Sequence, residues 1–374
     1  MLLRTPTMVG TPELVINNVR IFNGTEVLPG THSVVVSEGL ITSISEALAS
    51  PTSNNTTTVI DGTGCSLVPG LIDSHVHVTT AQDLDNLASY GITAACDMGC
   101  FPASMLSQIR ALTTDGSGPP RPHLLSAGTP ATSPGSAHSH IPAMPAEALL
   151  TDPADADRFV KNRLTVDCSD YVKLIADVPG PSQALLDALT AATRAAGLHT
   201  VVHAATAEPF RMAVRSGADC VTHAPLDAAI DDAVAGELRD RDGTVVATLT
   251  MMENIASWRE TANFEHSLES VRVLRRAGVR LLAGTDANSL PGRAVKHGES
   301  LARELELAVM AGLEPLEALR SATSLPAEYW GMTGRGMVGA GMRADLLLVD
   351  GEPWSDISDL RKIRAVYIGG RAVV

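Results

Sequence analysis

The middle of the chain alternates short apolar stretches with Ala- and Leu-rich amphipathic ones, and few architectures accept that rhythm. "SDYVKLIA" is followed by "SQALLDALTAATRAAG", then "HTVVHA", "EPFRMAVRSG" and "DCVTHA"; later "SLESVRVLRRAG" precedes "VRLLAGTDA". The spacing predicts strands alternating with helices at roughly 20–30 residues per unit, the pattern of a parallel sheet whose crossovers are helical. Chain enough for about eight such units lies between Val68 and Ala340, so an α/β fold with a (β/α)8 TIM-type barrel over residues 68–340 is expected. A doubly wound open sheet is the alternative that periodicity alone leaves open.

The two ends have another character. "LVINNVRIF", "SVVVSEGLITSISE" with its Glu-Gly turn, and "TTTVIDGTG" read as short strands joined by turns. "ADLLLVD" and "VYIGGRAVV", a hairpin closed by Gly369-Gly370, read the same way at the other end. Strand-rich ends around a βα middle predict a composite β-sandwich domain from residues 1–67 plus 341–374. The Gly-, Pro- and Ser-rich segment around "HLLSAGTPATSPGSAHSHIP" is expected to hold one strand, "HLLSAG", and then an extended loop; long loops inside compact domains are usually functional or disordered.

Composition excludes several partners. A net charge of −14 leaves no basic face for phosphates, so nucleic acid is not expected. No run of roughly 18 apolar residues occurs, so no membrane-spanning helix is expected. The start, "MLLRTPTMVGTPE", lacks the apolar core of a signal peptide. The five cysteines are odd in number and scattered, unlike a disulfide framework; Cys96 and Cys100 read as small buried apolar residues. A cytoplasmic protein acting on a small molecule is expected, with homo-oligomer formation left open. "GRGMVG" matches the dinucleotide pattern, but it precedes a strand instead of opening a helix, so it reads as a turn.

The chemistry gathers at strand ends. His75, His77, Lys173, His203, His223 and Asp286 all fall at the C-terminal ends of expected strands, the face on which barrel sites form. Side chains alternate along a strand, so His75 and His77 in "HVH" point the same way. Singly, each histidine could be a hydrogen-bonded structural residue, Asp286 a helix cap and Lys173 a lysine reaching to solvent. Together, four imidazoles and a carboxylate in equivalent places of successive units converge as metal ligands, a zinc-type site without cysteine.

With "LVPGLIDSHVHV", "VVHA", "VTHA" and "LLAGTDAN" in these places, the chain resembles the amidohydrolase superfamily of metal-dependent hydrolases. "VKHGESLARELELAVMAGLEPLEALRSAT" is similar to a segment of its imidazolonepropionase-like and Xaa-Pro dipeptidase-like branch. The resemblance implies a (β/α)8 barrel and two divalent ions, Zn2+ foremost. Lys173 would bridge them as N6-carboxylysine, since a buried neutral amine near cations can capture CO2. His75 and His77 with Asp286 would hold the more buried ion, and His203 with His223 the more exposed one.

A metal-bridging hydroxide would then cleave an amide or cyclic-amide C–N bond in a dipeptide, an N-acyl amino acid or a related small molecule, with Asp286 as proton shuttle. Lactone hydrolysis, deamination and non-oxidative decarboxylation are alternatives on the same site, because fold does not fix chemistry. A catalytically silent scaffold should have lost ligands, and none is lost here. His138, His140, Arg293 and His297 are candidate substrate contacts, with solvated or loop-capping roles as their bland reading.

Overall fold

The computed structural model describes residues 14–46, 57–114, 118–141, 144–290, 292 and 294–373. Three groups of strands follow in chain order. The first is β1 (Leu14–Ile21), β2 (His32–Ser37), β3 (Leu40–Ser45), β4 (Thr58–Asp61) and β5 (Cys65–Pro69). The second is β6 (Leu71–Val76), β7 (Ile92–Asp97), β8 (His123–Ser126), β9 (Val172–Ile175), β10 (Thr200–His203), β11 (Cys220–Thr222), β12 (Thr244–Val246) and β13 (Arg280–Leu282). The last is β14 (Leu346–Asp350), β15 (Ile363–Ile368) and β16 (Arg371–Ala372). The opening stretch "MLLRTPTMVGTPE" lies outside the described residues.

The first and last groups hydrogen-bond into one eight-stranded sheet in the order β16-β15-β14-β5-β1-β2-β3, with β4 on β1. The expected hairpin is present: Tyr367 pairs with Ala372 and Ile368 with Arg371 across Gly369-Gly370. β14 runs antiparallel to β5, Leu346 opposite Pro69 and Asp350 opposite Cys65. Ile16, Val34, Ile41, Leu67, Leu346 and Leu348 bury a common apolar cluster from these strands. Gly70 then passes the chain directly from β5 into β6. A Cβ there would stand 2.3 Å from the Thr93 side chain, so only glycine admits so close an approach of β7.

The middle strands are all parallel, β6-β7-β8 in one sheet and β9 to β13 in another. Backbone hydrogen bonds join the two sheets at both ends. Ala131 N–H donates to the Lys173 carbonyl (2.9 Å) and Ile175 N–H to the Ala131 carbonyl (2.8 Å). On the other side, Ser74 N–H donates to Ala283 and Asp286 N–H to His75 (2.9 and 2.8 Å). The chain is thus a mixed α/β fold.

Helices between the strands form where the apolar period is helical and a polar side chain caps the first turn. Ser182 accepts from Leu185 N ahead of Gln183–Ala195, and Asp231 from Val234 N ahead of Asp232–Asp240. The helix Gln183–Ala195 buries Leu185, Leu186 and Leu189 against Val172, Leu174 and Val202. Alternation sends the neighbouring residues to the opposite face, where Val201 packs with Ile72, Cys96, Cys220, Val246 and Leu282. Lys173 stands opposite Val201, and His203 follows two residues later, so both side chains share this inner face. Among the described residues no helix is long and apolar enough to cross a membrane.

One placement differs from expectation. Lys173 is the second residue of β9 and only 3% exposed, well inside the strand instead of at its end. His223 and Asp286 lie just past their strands, and Asp286 has φ 58°, a left-handed conformation that cannot continue a strand.

Candidate metal centre

The buried half of the centre is built on a carboxylate, that of Asp73. It accepts from His75 N (3.1 Å), Thr285 N (3.0 Å) and Thr285 Oγ1 (2.7 Å), stapling β6 to the turn after β13. Gly284 makes the staple possible, because a Cβ there would lie 2.8 Å from His75 N and 2.5 Å from the Val246 side chain. Burial pushes the Asp73 carboxyl up to about 7, against the pull of its N–H and O–H donors.

The staple aims Asp286 at two imidazoles. Its Oδ1 is 3.3 Å from His75 Nε2 and 3.2 Å from His77 Nε2, and its Oδ2 is 3.9 Å from His223 Nδ1. Burial alone would raise the Asp286 carboxyl, but hydrogen bonding to the His75 and His77 imidazoles holds it well below the ordinary range. His75 itself is pushed down to about 3 by burial and by the Lys173 charge, so its imidazole is neutral, the form that ligates metals.

Threonines orient the rings. The Thr248 hydroxyl donates to the Ala247 carbonyl (2.8 Å), so it accepts from His223 Nδ1 (2.5 Å) and leaves the lone pair on Nε2. Thr222 Oγ1 lies 2.9 Å from His75 Nδ1 and fixes the orientation of that ring. Glu304 in turn fixes the turn that carries Thr248, accepting from Leu249 N, Thr250 N and Thr250 Oγ1 (2.9, 2.7 and 2.8 Å).

Lys173 sits among these groups with no hydrogen-bond partner for Nζ among the described residues. Burial lowers its ammonium from the ordinary 10.5 to about 8, with the Asp286 charge opposing the shift. A buried cation that nothing pairs is costly, whereas a neutral amine open to modification or to a ligand is not.

The exposed half is centred on His203. Its Nδ1 is 2.8 Å from His223 Nε2, and its Nε2 is 3.8 Å from Asp177 Oδ1. The other oxygen of Asp177 accepts from His138 Nδ1 at 2.7 Å. Burial would raise Asp177, but the hydrogen bond and charge of His138 and the charge of His203 bring it below the usual carboxylate range. Donor atoms of His75, His223 and Asp286 lie within 4.8 Å of one another, and so do those of His138, Asp177 and His203. His223 stands between the two groups, its Nδ1 3.9 Å from Asp286 Oδ2 and its Nε2 2.8 Å from His203 Nδ1, while Asp177 joins His203 as a neighbour that the sequence reading had not assigned.

Of the other candidates, His297 is buried, its Nε2 3.0 Å from the His77 carbonyl and its Nδ1 3.5 Å from Asp83. These contacts brace the strand end at His77. His140 is exposed on the short 3-10 helix Ala137–His140. Arg293 lies outside the described residues.

Four carboxylates went unassigned from sequence. Asp177 closes "VKLIAD" as His203 closes "TVVH", so position beyond a strand end was a usable signal. Asp97 ends β7, where it accepts from Ser126 Oγ (2.6 Å) and Val78 N (3.1 Å) behind His77, and offered the same signal. Asp73 and Glu304 carried none, since the partners that give them their roles, Thr285 and Thr250, are remote in the chain.

The amidohydrolase family model matches residues 66–373. The chain belongs to the amidohydrolase family. That is a family of hydrolytic enzymes, and the matched span takes in the histidines, Lys173 and Asp286. An imidazolonepropionase of Deinococcus radiodurans is 33% identical over 131 residues, 34% of this chain and 30% of that protein. Adenine deaminase 1 of Carboxydothermus hydrogenoformans is 29% identical over 118 residues, 31% of this chain and 18% of its own length. The matches thus span less than a third of either relative. A Xaa-Pro dipeptidase structure with methionine bound in the active site superposes with a TM-score of 0.83 at 22% identity, over 96% of this chain and 99% of its own; this likeness is one of fold.

Proposed function

We propose that the protein is a cytoplasmic binuclear metallohydrolase that cleaves an amide or cyclic-amide C–N bond of a small molecule. The observation that carries the reading is the convergence of His75, His77, His203, His223 and Asp286 around the buried, unpartnered amine of Lys173. We place these residues at the mouth of a (β/α)8 barrel over residues 68–340, the cross-sheet bonds of Ala131 and Ser74 serving as its closing seams. Residues 1–67 and 341–374 would form the accompanying β-sandwich.

The residues present fit a pair of divalent ions. His75, His77 and Asp286 would hold one, His203 and His223 the other, and Lys173, carboxylated on Nζ, would bridge them; an all-nitrogen-and-oxygen set of this size suits Zn2+. Bound there, such ions supply an acidified water and a polarised scissile carbonyl.

The chain's own groups do the rest. Asp286 Oδ1 is occupied by two imidazoles, so Oδ2 is the oxygen with room to accept a proton from the attacking water and pass it to the leaving nitrogen. The Thr248 hydroxyl keeps His223 in the tautomer that presents Nε2, and Thr222 holds the His75 ring in place.

Imidazolonepropionase, dipeptidase and deaminase similarities together support a C–N bond as the target. Deamination on the same site is the second reading, favoured by the adenine deaminase match. Metal analysis should find about two divalent ions per chain, and a single ion or none sinks the binuclear reading. The metal-loaded protein should turn over one class within a panel of dipeptides, N-acyl amino acids, cyclic amides, lactones and aminopurines. Lys173→Ala should lose metal and regain it with a short carboxylate; unaltered metal content in that variant removes the bridging role.

A further inference from the structure

We propose that Asp177 is the positioning residue of the exposed half of the centre, a single carboxylate that orients His138 and His203 together. The inference rests on the two-metal reading and concerns a residue that reading leaves without a role.

Its location follows from strand register. Ile175 is paired with His203, and Ala176 N–H donates to the His203 carbonyl at 2.9 Å, so the chain leaving β9 must run beside the His203 ring. Asp177 is the next residue. Its two oxygens divide the work, Oδ1 facing His203 Nε2 at 3.8 Å and Oδ2 facing His138 Nδ1 at 2.7 Å.

The hydrogen-bond pattern decides which nitrogens carry protons. Oδ2 also receives the His138 backbone N–H at 3.3 Å. A carboxylate oxygen flanked by two N–H groups is an acceptor, so His138 Nδ1 is protonated and its lone pair lies on Nε2. Through Nδ1, therefore, His138 is no metal ligand, although it lies near His203 (ring centroids 4.3 Å apart, at 66°).

In the metal-free chain His203 Nδ1 and His223 Nε2 share a proton across 2.8 Å, and a cation that displaces it would leave the remaining His203 proton on Nε2, on the side of Asp177 Oδ1. Metal-ligating histidines characteristically give their second N–H to a carboxylate, and loss of that partner typically costs 10–100-fold in affinity. The 3.8 Å separation is longer than a hydrogen bond, so in this structure Asp177 acts on His203 through charge.

His138 is held stiffly enough for this to matter. Ser136 caps its short helix by accepting from Ser139 N at 3.1 Å, and lies 2.8 Å from Thr132 Oγ1. Ser133 Oγ donates to the Leu150 carbonyl at 2.6 Å. Asp177 thus couples a metal ligand on β10 to an imidazole on the long loop after β8.

Two readouts test this. In metal-free protein labelled with 15N-histidine, nitrogen shifts should show His138 protonated at Nδ1, moving towards the Nε2–H form in Asp177→Ala. In Zn2+ titrations followed by calorimetry, Asp177→Ala and Asp177→Asn should bind the second ion about 10–100-fold more weakly than wild type. His138→Ala should keep both affinities. Unchanged second-ion affinity in Asp177→Ala, or an Nε2–H His138 in wild type, overturns the proposal. So does a His138→Ala variant that loses the second ion as Asp177→Ala does, for His138 would then be a ligand. Fewer than two Zn2+ on wild type counts against the two-metal reading, while the tautomer measurement still decides the role of Asp177.

Discussion

Asp286 is held in a left-handed conformation, φ 58°, that its short side chain tolerates, and the turn around it is locked by Asp73 through Thr285. Its carboxylate is kept ionised by His75 and His77, so it is a weak base that accepts a proton only from a strongly acidified water. Asp286→Asn retains the shape and one ligating oxygen but cannot shuttle the proton. Turnover should fall about 10²–10⁴-fold while metal content, read by atomic emission, largely survives. Full activity in this variant would remove Asp286 from the proton path. Lys173 shows how a residue's chemistry depends on its surroundings: the same lysine at a strand end would be an ordinary solvated cation, but enclosed in β9 it tends towards the neutral amine.

At the scale of elements, the helix Glu299–Met310 reaches into the centre without touching it. Glu304 binds the turn at Leu249 and Thr250, and that turn carries Thr248, the partner of His223. Burial lifts the Glu304 carboxyl from 4.5 to about 7. A raised acid binds its proton more tightly when folded, so its favourable contribution is complete below about pH 4.5 and disappears as pH rises through about 7. Glu304→Gln does not titrate. Between those limits wild type should lose stability relative to the variant, by at most on the order of 3 kcal/mol at 1.36 kcal/mol per unit. Urea denaturation at both ends of the range measures the gap, and parallel pH profiles would show that Glu304 is not the titrating group. In the sequence this segment stood out only for its likeness to a family branch, and Glu304 looked like any polar position in it. Its role depends on Thr250, 54 residues earlier in the chain.

For the whole molecule, the proposed ligands come from β6, β9, β10, β11 and the turn after β13, so bound metal would tie together segments from Leu71 to Asp286. Chelation should therefore lower the melting temperature by on the order of 10 °C, with Zn2+ restoring it, as expected for ligands that bind the folded state alone. Calorimetry with and without chelator checks this, and an unchanged transition would mean that no resident metal stabilises the fold. The sequence by itself determined the βα rhythm, the parallel strands, the terminal strands and the residues at strand ends. These follow from local periodicity, and parallel strands bring their carboxyl ends to one side. It pointed to His75, His77, His203, His223 and Asp286 for that reason. Only the tertiary structure decided that Asp177 lies against His138 and His203, that His223 stands between His203 and Asp286, and that Lys173 is enclosed with no hydrogen-bond partner among the described residues. Those outcomes depend on register between strands and on loops stapled by buried carboxylates, and both are set by contacts between residues far apart in the chain.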